Sequence, residues 1–326
     1  MANLGLDIGY SNLKSAVGET DHEPELLLRP AGAVPAAVMS ANWMGEDDES
    51  VHVLVEGEEY IACVDPTKIP RFNRALYDDY PNTKLYRALF HAALVLSGEE
   101  SLDELVTGLP VHQFKDPAYR AALQQWMSGV HQVTPRMTVE VKKVRVVPQP
   151  AGAFMAYAVD EGMLDDLREM RTLVADPGFF SFDWVLMEGH QPREDCADTS
   201  LEAMSRVLER AGQLIGKDYG SRLEAQYLER ALRNGRDTIR VHNRPVEITP
   251  YLEQAIEDLS ESLIHAVRTS LRHLNADVDL ILMAGGGGRL YEPVMRRAFP
   301  KADVYVPEKS PVFNALGFFR FAGDAC

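Results

Sequence analysis

The stretch TLVADPGFFSFD, residues 172–183, decides the fold because its pattern occurs once more near the N-terminus, as NLGLDIGYSNLK at residues 3–14. Each copy is a short apolar run typical of a buried strand, followed by an Asp, a Gly two residues later, an aromatic residue and a hydroxyl residue. The glycine lets the backbone turn sharply towards phosphate oxygens, and the adjacent carboxylate can hold a hydrated metal ion. A single Asp-x-Gly is typical of an ordinary turn, whereas two copies half a chain apart predict a duplicated half-domain with two phosphate-binding turns.

Length and composition limit the class of protein. The chain has 326 residues, enough for two domains with separate cores, and a net charge of -16, which argues against a broad nucleic-acid footprint. The three cysteines form no Cys-x-x-Cys pair, and the nine histidines form no metal-binding cluster, so neither a disulfide framework nor a zinc site is predicted. No segment is apolar enough to span a membrane, and the N-terminus leads into a strand instead of a signal segment, so we expect a cytoplasmic protein.

The remaining sequence alternates helical and strand-like patterns. Residues from about Pro24 to Pro70 predict an inserted, exposed subdomain, with the acidic run Glu46–Glu49 as a solvated loop. Further predicted elements are a helix over Pro81–Leu96, a strand over Leu105–Pro110, a helix over about Pro117–Val130, a strand over Val139–Val147 and a long helix from Thr249 to about Leu271. Ser200–Asn234 is predicted as a second insertion, helical with interruptions at Gly212, Gly216 and Gly220. This alternation indicates an α/β fold.

Two more turns have unusual composition. Prolines at 148 and 150 fix a strand-to-helix corner that contains Gln149, and the small residues at 151–153 and 156 make the following helix thin, which favours close packing over a hinge. Near the C-terminus, an apolar strand ends in four consecutive glycines, Gly285–Gly288. Such a loop is costly in backbone entropy, so its bare backbone predicts close approach to a flat ligand such as a nucleoside; a flexible turn is the alternative.

With these pieces in order, the sequence resembles the actin-like ATPase superfamily. The five motifs that carry the resemblance are the first phosphate motif at 7–14, the first connecting motif at 147–153, the second phosphate motif at 176–183, the adenosine motif at 285–288 and the second connecting motif at 312–318. VTGLP at 106–110, GGGRL at 286–290 and NALG at 314–317 are similar to plasmid-segregation actins of the ParM/StbA type. The DPGFFSFDW variant is most similar to the actin-like protein of PRTRC plasmid systems.

The resemblance implies an α/β actin-like ATPase fold, in which two ribonuclease-H-like domains with inserted subdomains flank a nucleotide cleft. The first domain would span residues 1–150, with an insertion at about 24–75, and would be completed by about 308–326. The second would span 151–307, with an insertion at about 195–248.

ATP and Mg²⁺ are the cofactors that the resemblance implies. Asp7 and Asp176 are assigned to the hydrated Mg²⁺ and, with Gln149 orienting the attacking water, to catalysis; a neutral Gln is a weak base, so slow hydrolysis is expected. The residues assigned to the nucleotide are Gly9, Tyr10, Ser11, Asn12, Lys14, Gly178, Phe179, Phe180, Ser181, Gly285, Gly286, Gly287, Gly288 and Leu290. Each assignment has a structural alternative, with the aspartates as turn caps, Lys14 as a solvated side chain and Gln149 as a satisfied corner residue.

One departure from the family pattern lies in the second phosphate motif, where Phe179 and Phe180 stand at positions that often carry glycine. Either the backbone approaches the phosphates less closely there, or the aromatic rings pack beneath the loop. This departure bears on both the nucleotide affinity and the hydrolysis rate that the resemblance implies.

The implied function is that of a slowly ATP-hydrolysing protein that forms nucleotide-dependent filaments for plasmid DNA segregation. Its expected partners are further copies of itself and, through a separate DNA-binding adaptor, plasmid DNA, with no direct nucleic-acid patch and no membrane contact. A non-polymerising ATPase scaffold is the main alternative. A small-molecule kinase would need a substrate pocket for which the chain leaves little room, and a DnaK-like chaperone would need a peptide-binding module after the ATPase.

Overall fold

The computed structural model describes residues 2–39, 49–69, 79–272 and 277–322. The chain divides into two compact units, unit 1 with Met1–Asp166 and Glu308–Cys326, and unit 2 with Leu167–Pro307. Of the predicted features, most of the acidic run Glu46–Glu49 and the cysteine at 326 lie outside the described residues. Cys63 and Cys196 are buried free thiols.

Unit 1 is built on a five-stranded sheet in the order β11-β8-β1-β2-β3, accompanied by two three-stranded sheets, β4-β6-β5 and β7-β10-β9. Its strands are β1 Ala2–Ile8, β2 Asn12–Glu19, β3 Glu25–Pro30, β4 Gly32–Pro35, β5 Val51–Val55, β6 Glu58–Val64, β7 Ser101–Leu102, β8 Glu104–Leu109, β9 Gly129–Thr134, β10 Met137–Val141 and β11 Val144–Pro148. Its helices are α1 Lys84–Leu96, α2 Val111–Phe114, α3 Pro117–Met127, α4 Gln149–Asp160, α5 Leu164–Leu167 at its boundary, and α10 Phe313–Phe321, numbered in chain order over both units.

Unit 2 repeats the arrangement in the sheet order β14-β13-β12-β17-β18 and adds the hairpin β15-β16. Its strands are β12 Arg171–Pro177, β13 Phe182–Glu188, β14 Gln191–Ser200, β15 Thr238–Val241, β16 Arg244–Glu247, β17 Leu280–Met283 and β18 Asp303–Tyr305. Its helices are α6 Met204–Tyr219, α7 Ala225–Arg233, α8 Thr249–Ser270 and α9 Gly288–Ala298.

The two large sheets have the same strand directions. In each, the strand that ends at the predicted Asp pairs antiparallel with the strand after the turn and parallel with a strand from much later in the unit. Because the carboxyl ends of parallel strands meet at one edge, this topology gathers residues distant in sequence beside each aspartate. The structure thus shows the duplication that the sequence predicts.

Each unit has its own apolar core. In unit 1, Leu4 and Leu6 of β1 pack with Leu89 and Phe90 of α1, and all four are fully buried. In unit 2, side chains of β12, β13, α6 and α8 form the corresponding cluster around Trp184. The central strands are therefore buried on both faces, as their continuous apolar sequences predict.

Capping interactions at their ends explain where the long helices begin and end. The Thr83 side chain accepts a hydrogen bond from the Tyr86 N–H and caps α1, so this helix begins at Lys84, whereas Pro81 lies in a short 3-10 turn. The Asp116 side chain caps α3, which has Pro117 in its first turn. Helix α6 ends at Gly220, which takes a left-handed conformation with φ 64°.

Several predicted boundaries differ from the structure. The segment after Pro24 was predicted to be inserted, but Glu25–Pro30 pairs with β2, so the smaller sheet starts at Gly32. The predicted strand Val139–Val147 is two strands that belong to different sheets, β10 and β11, separated at Lys142–Lys143. The alternation of apolar residues shifts by one position across this break, from residues 139 and 141 to residues 144 and 146, so the sequence contains a signal that the prediction overlooked.

The helical predictions were too long at their ends. Helix α3 ends at Met127, and Val130 belongs to β9. The region predicted as helical from Ser200 to Asn234 is two helices, α6 and α7, and Ser200 is the last residue of β14. Glycine at position 220 separates the helices because a left-handed residue ends the first one.

The thin helix predicted after Gln149 packs closely on the C-terminal helix of unit 1. A Cβ at Gly317 of α10 would overlap the carbonyl oxygen of Gly152 in α4, and a Cβ at Gly152 would lie 2.5 Å from the Phe318 ring. The small residues therefore serve close helix packing, as predicted. This contact fixes the helix whose first residue is Gln149.

Candidate functional site

The first predicted turn forms a compact polar cluster in unit 1. Asp7 lies near the end of β1, directly opposite Lys14 on β2, and the Lys14 Nζ lies 2.9 Å from Asp7 Oδ2. The Gln149 Nε2 donates to Asp7 Oδ1 at 3.2 Å. Asp7 is 3% exposed, so its charge is stabilised mainly by these two side chains.

The topology explains how residues 142 positions apart come together. Strand β11 runs parallel to β8, which runs parallel to β1, so both β1 and β11 end at the same edge of the sheet. Gln149 is the first residue after β11 and the first of α4, and Pro150 in the first helical turn fixes the corner. The side chain of Gln149 therefore points at the end of β1.

The backbone of the first turn is closed by hydrogen bonds. The Gly9 N–H donates to the Asn12 carbonyl at 3.0 Å, and the Ser11 carbonyl accepts from the Ala31 N–H at 2.9 Å. The Asn12 Nδ2 donates to Ser11 Oγ at 3.3 Å. The buried Asn12 Oδ1 has no hydrogen-bond partner among the residues that the structure describes. A buried amide group of this kind is available to a ligand or to water.

The second predicted turn is closed in the same way in unit 2. The Gly178 N–H donates to the Asp176 and Ser181 carbonyls, both at 2.9 Å. Two carbonyls of this turn, those of Gly178 and Phe179, accept from the first N–H groups of α6, which satisfies helix donors that would otherwise be unpaired. The turn is thus attached to the start of a long helix.

The aromatic residues of this turn have different surroundings. Phe179 is half-buried and packs against the core of unit 2, as the second of the two interpretations expects. Phe180 is also half-buried.

The glycine loop lies against the second turn within unit 2. Gly285 has φ +65°, and a Cβ there would overlap Asp176 Oδ1. The Gly287 N–H donates to the Pro177 carbonyl at 3.1 Å, and a Cβ at Gly287 would lie 2.9 Å from the Met204 side chain. Glycine is therefore required at 285 and 287 by contacts within the unit, a reason that the sequence analysis did not identify.

The other residues of the glycine motif have separate roles. A Cβ at Gly286 would meet no described atom within 4 Å, so this exposed residue leaves open space above the loop. Gly288 is buried and begins α9. Leu290 is half-buried and packs against the core of unit 2.

A second carboxylate, which was not predicted from the sequence, accompanies Asp176. Asp183 lies directly opposite Asp176 on β13, is 1% exposed, and accepts hydrogen bonds from Ser181 Oγ at 2.6 Å and Thr199 Oγ1 at 2.5 Å. Ser181, assigned to the nucleotide, therefore contacts Asp183. Aligning the two repeats could have identified Asp183, because it follows Asp176 at the same interval as Lys14 follows Asp7.

Two further residues support the first turn. The Thr107 Oγ1 donates to the Leu6 carbonyl at 2.8 Å, next to Asp7 in the chain. Burial chiefly, with Tyr80 and Asp7 adding, raises the pKa of Tyr86, whose hydroxyl is hydrogen-bonded to Thr107. Tyr86 therefore acts as a neutral, buried hydrogen-bonding group. No sequence pattern marks these contacts, since they depend on how α1 packs on β1 and β8.

Chemically, each turn offers a carboxylate and closely turned backbone, but no ready-made metal cage. Within the described ranges, no three His, Cys, Asp or Glu side chains come together as metal ligands. Mg²⁺ at nucleotides is usually held by one or two carboxylates plus phosphate and water, and single carboxylates fit that requirement. Each oxygen of Asp7 accepts one bond and retains a second lone pair for a metal-bound water.

Comparisons with known proteins agree with this architecture. Residues 5–152 match the family described as the N-terminal domain of actin-like proteins, and residues 174–297 match the C-terminal domain of the archaeal actin homologue MreB-like family. No curated protein sequence matches the chain. Of the helices in the described ranges, none combines the length and apolar character that a membrane crossing requires.

Solved structures with this fold cover nearly the whole chain. An archaeal actin homologue has a TM-score of 0.79 and 20% identity, with 99% of each chain covered. The same homologue in complex with ADP has a TM-score of 0.76, 20% identity and 99% coverage of each chain. A ParM from Clostridium botulinum, solved as a 15-stranded filament, has a TM-score of 0.72 and 18% identity, with 98% of each chain covered. Two successive matches to families of actin-like proteins, over residues 5–152 and 174–297, and these solved structures show that the chain has an α/β actin-like fold.

Proposed function

We propose that the chain binds ATP with Mg²⁺ and hydrolyses it slowly. The observation that carries the proposal is the buried Asp7 held between Lys14 and Gln149 at the end of β1. A carboxylate, a cation and a neutral amide at the mouth of a backbone turn are the groups that phosphoryl transfer needs for positioning and charge neutralisation. The ADP complex of a homologue with this fold supports the choice of ligand.

Each residue has a role in this proposal. Asp7 and Asp176 would hold the hydrated Mg²⁺, which when bound would neutralise charge on the phosphates. Lys14, with the Ser11 and Asn12 region, contacts the β- and γ-phosphates. The Gln149 amide, which lies 3.2 Å from Asp7 Oδ1, orients the attacking water. Because an amide accepts a proton poorly, hydrolysis is slow.

The nucleotide-binding set extends to both turns and to the glycine loop. In unit 1 it includes Gly9 and Tyr10 beside the residues above. In unit 2 it comprises Gly178, Phe179, Phe180, Ser181, Gly285, Gly286, Gly287, Gly288 and Leu290. The exposed backbone of Gly286 is the surface in this loop that a flat base can approach most closely, because no atom of the described residues lies within 4 Å of a Cβ placed there.

We propose that the compact units are the functional domains of the predicted fold. The first domain, predicted over residues 1–150 and about 308–326, corresponds to unit 1, which extends to Asp166 and so also contains α4. The second, predicted over 151–307, corresponds to unit 2, which begins at Leu167. The smaller sheet β4-β6-β5 and the segment with α6, α7 and the hairpin β15-β16 correspond to the two predicted insertions.

The physiological output we propose is a nucleotide-dependent filament that segregates plasmid DNA in the cytoplasm. The ParM/StbA type, and within it the PRTRC plasmid-associated type, is the proposed class. The support is the fold of a ParM that is itself a filament. Filament formation requires that ATP and ADP favour different subunit conformations. Because the chain has a net charge of -16, we propose that DNA is reached through a basic adaptor protein.

High-speed sedimentation with Mg²⁺ and ATP, ADP or no nucleotide, together with phosphate release, tests this proposal. We expect wild type to pellet with ATP and Asp176→Ala not to pellet. Gln149→Ala should give pellets that persist while phosphate release falls at least tenfold, whereas Gln125→Ala, a change at an exposed glutamine, should behave as wild type. Phosphate release without pelleting at any concentration would identify a non-polymerising ATPase. No ATP binding and no release would overturn the nucleotide assignment.

A further inference from the structure

The first turn is attached to an aromatic stack that its own sequence does not reveal. The Tyr10 ring, between Gly9 and Ser11, stacks nearly parallel on the Tyr80 ring, with centroids 4.3 Å apart and an interplanar angle of 18°. Tyr80 meets Tyr86 edge-on at 5.2 Å. Tyr86 in turn meets Trp126 edge-on at 6.1 Å. Rings in these arrangements attract each other beyond the area they bury.

Tyr80 is held in place by the start of α1. Its carbonyl accepts hydrogen bonds from the Thr83 N–H at 3.0 Å and from the Thr83 hydroxyl at 2.8 Å. The same hydroxyl accepts from the Tyr86 N–H and caps the helix. The ring that meets Tyr10 is therefore carried by a backbone fixed to a buried helix, and not by a freely moving loop.

Helix α1 also holds the strand that leads into the turn. The Tyr86 hydroxyl is hydrogen-bonded to Thr107, whose hydroxyl donates to the Leu6 carbonyl at 2.8 Å. Both ends of the segment from Asp7 to Gly9 are thus attached to the region of α1. Leu6, before the segment, is attached through its carbonyl, and Tyr10, after the segment, is attached through its ring. The Asp7 side is held by hydrogen bonds, whereas the Tyr10 side is held by the ring stack.

We propose that Tyr80 is a positioning residue for the phosphate-binding turn, acting through Tyr10 and without touching the nucleotide. This inference rests on the proposed ATP-binding function. Stacking fixes the ring of Tyr10 and, with it, the backbone N–H groups of the turn. ATP binding therefore does not have to order these groups, and the conformational entropy cost of ordering them does not weaken the affinity. Because Asp7 and Gln149 are held by separate contacts, loss of the stack weakens substrate binding and leaves the chemical step nearly unchanged.

Substitution of Tyr80 tests the proposal. In Tyr80→Leu we expect the Kd and KM for ATP to rise about threefold to tenfold, the effect of losing one aromatic pair, with kcat within twofold of wild type. Tyr80→Phe keeps the ring and should restore wild-type affinity. Tyr227→Leu, at a half-exposed tyrosine of unit 2, is the matched control and should leave both constants unchanged.

A double-substitution cycle with Tyr10 separates positioning from a general loss of stability. If Tyr80 acts through Tyr10, adding Tyr80→Leu to Tyr10→Leu should not weaken ATP binding further, whatever the thermal stability of each variant. Equal additional loss in the Tyr10→Leu background, or equal loss in Tyr80→Phe and Tyr80→Leu, would overturn the proposal. Wild-type affinity in Tyr80→Leu would also overturn it. If wild type itself fails to bind ATP, it is the proposed function that fails.

Discussion

The two strand-and-turn copies differ in the residue that lies opposite the aspartate. In unit 1, Asp7 faces Lys14 across the hairpin and forms an ion pair at 2.9 Å. In unit 2, Asp176 faces Asp183, whose carboxylate is held by the Ser181 and Thr199 hydroxyls. The turn has the same backbone arrangement in both units. The Asp7–Lys14 pair is close to neutral, whereas the Asp176–Asp183 pair places two carboxylates on the same face of a hairpin.

Under the proposed function, this difference gives the two turns different tasks. Under the proposed function, the lysine beside the first aspartate would supply a cation for phosphate oxygens from within the protein itself. A pair of carboxylates beside the second turn attracts a cation from outside, which agrees with the proposed Mg²⁺ role of Asp176. The two copies therefore share the geometry of the turn, and the residue opposite the aspartate in each copy determines the net charge of the pair.

The largest effect we expect comes from breaking the pair in unit 1. Lys14→Met leaves Asp7 buried beside only the Gln149 amide, and we expect a loss of about 3 kcal/mol in the free energy of unfolding, measured by urea denaturation. Lys301→Met, at an exposed pair with Asp277, should cost less than about 0.5 kcal/mol.

A compensating change identifies the cause of that loss. Adding Asp7→Asn to Lys14→Met removes the unpaired charge and should recover most of the stability. If the double variant is less stable than Lys14→Met alone, packing of the lysine stem and not the unpaired charge accounts for the effect.

The second prediction concerns what holds the aspartate in unit 2, where no lysine is present at the equivalent position. Gly285→Ala would place a methyl group on Asp176 Oδ1 and strain a residue with φ +65°, so we expect a loss of about 2 kcal/mol in the free energy of unfolding. Gly286→Ala meets no described neighbour and should change this free energy by less than about 0.5 kcal/mol. Urea unfolding followed by tryptophan fluorescence measures both, and equal losses would contradict the assigned difference between the glycines.

Much of the fold was predictable because its signals are local. The apolar runs before Asp7 and Asp176, the Asp-x-Gly turns and the proline corner at Gln149 each have one physically favoured structure. The break at Lys142–Lys143 was not predicted, although the apolar alternation shifts by one residue there. Gly220 was predicted as one of three interruptions of a helical region, but not as the one at which the first helix ends. The positions of these breaks depend on the sheet or helix to which each segment belongs in the folded chain.

The site was predictable only where each residue is marked by its own sequence context. The hydrogen bond between Gln149 and Asp7 needs the strand order of the sheet, and the contact of Tyr80 with Tyr10 needs the placement of α1. The need for glycine at position 285 follows from the Asp176 side chain, which is not adjacent in sequence. These relations arise from packing, so a single sequence contains no direct signal for them.

The smallest effect on stability, and the sharpest test of the comparison, comes from Asp183→Asn. The Ser181 and Thr199 hydroxyls can rotate to serve an amide, so the free energy of unfolding should fall by only about 1 kcal/mol. Removing one negative charge beside Asp176 should raise the Mg²⁺ concentration for half-maximal ATP hydrolysis about threefold to tenfold. Asp195→Asn, at an exposed aspartate on the neighbouring strand, is the control and should leave the Mg²⁺ requirement unchanged, because water screens its charge. An unchanged requirement in Asp183→Asn would mean that the second carboxylate only fixes the hairpin through its two hydroxyl contacts, and that the charge difference between the copies does not direct the metal.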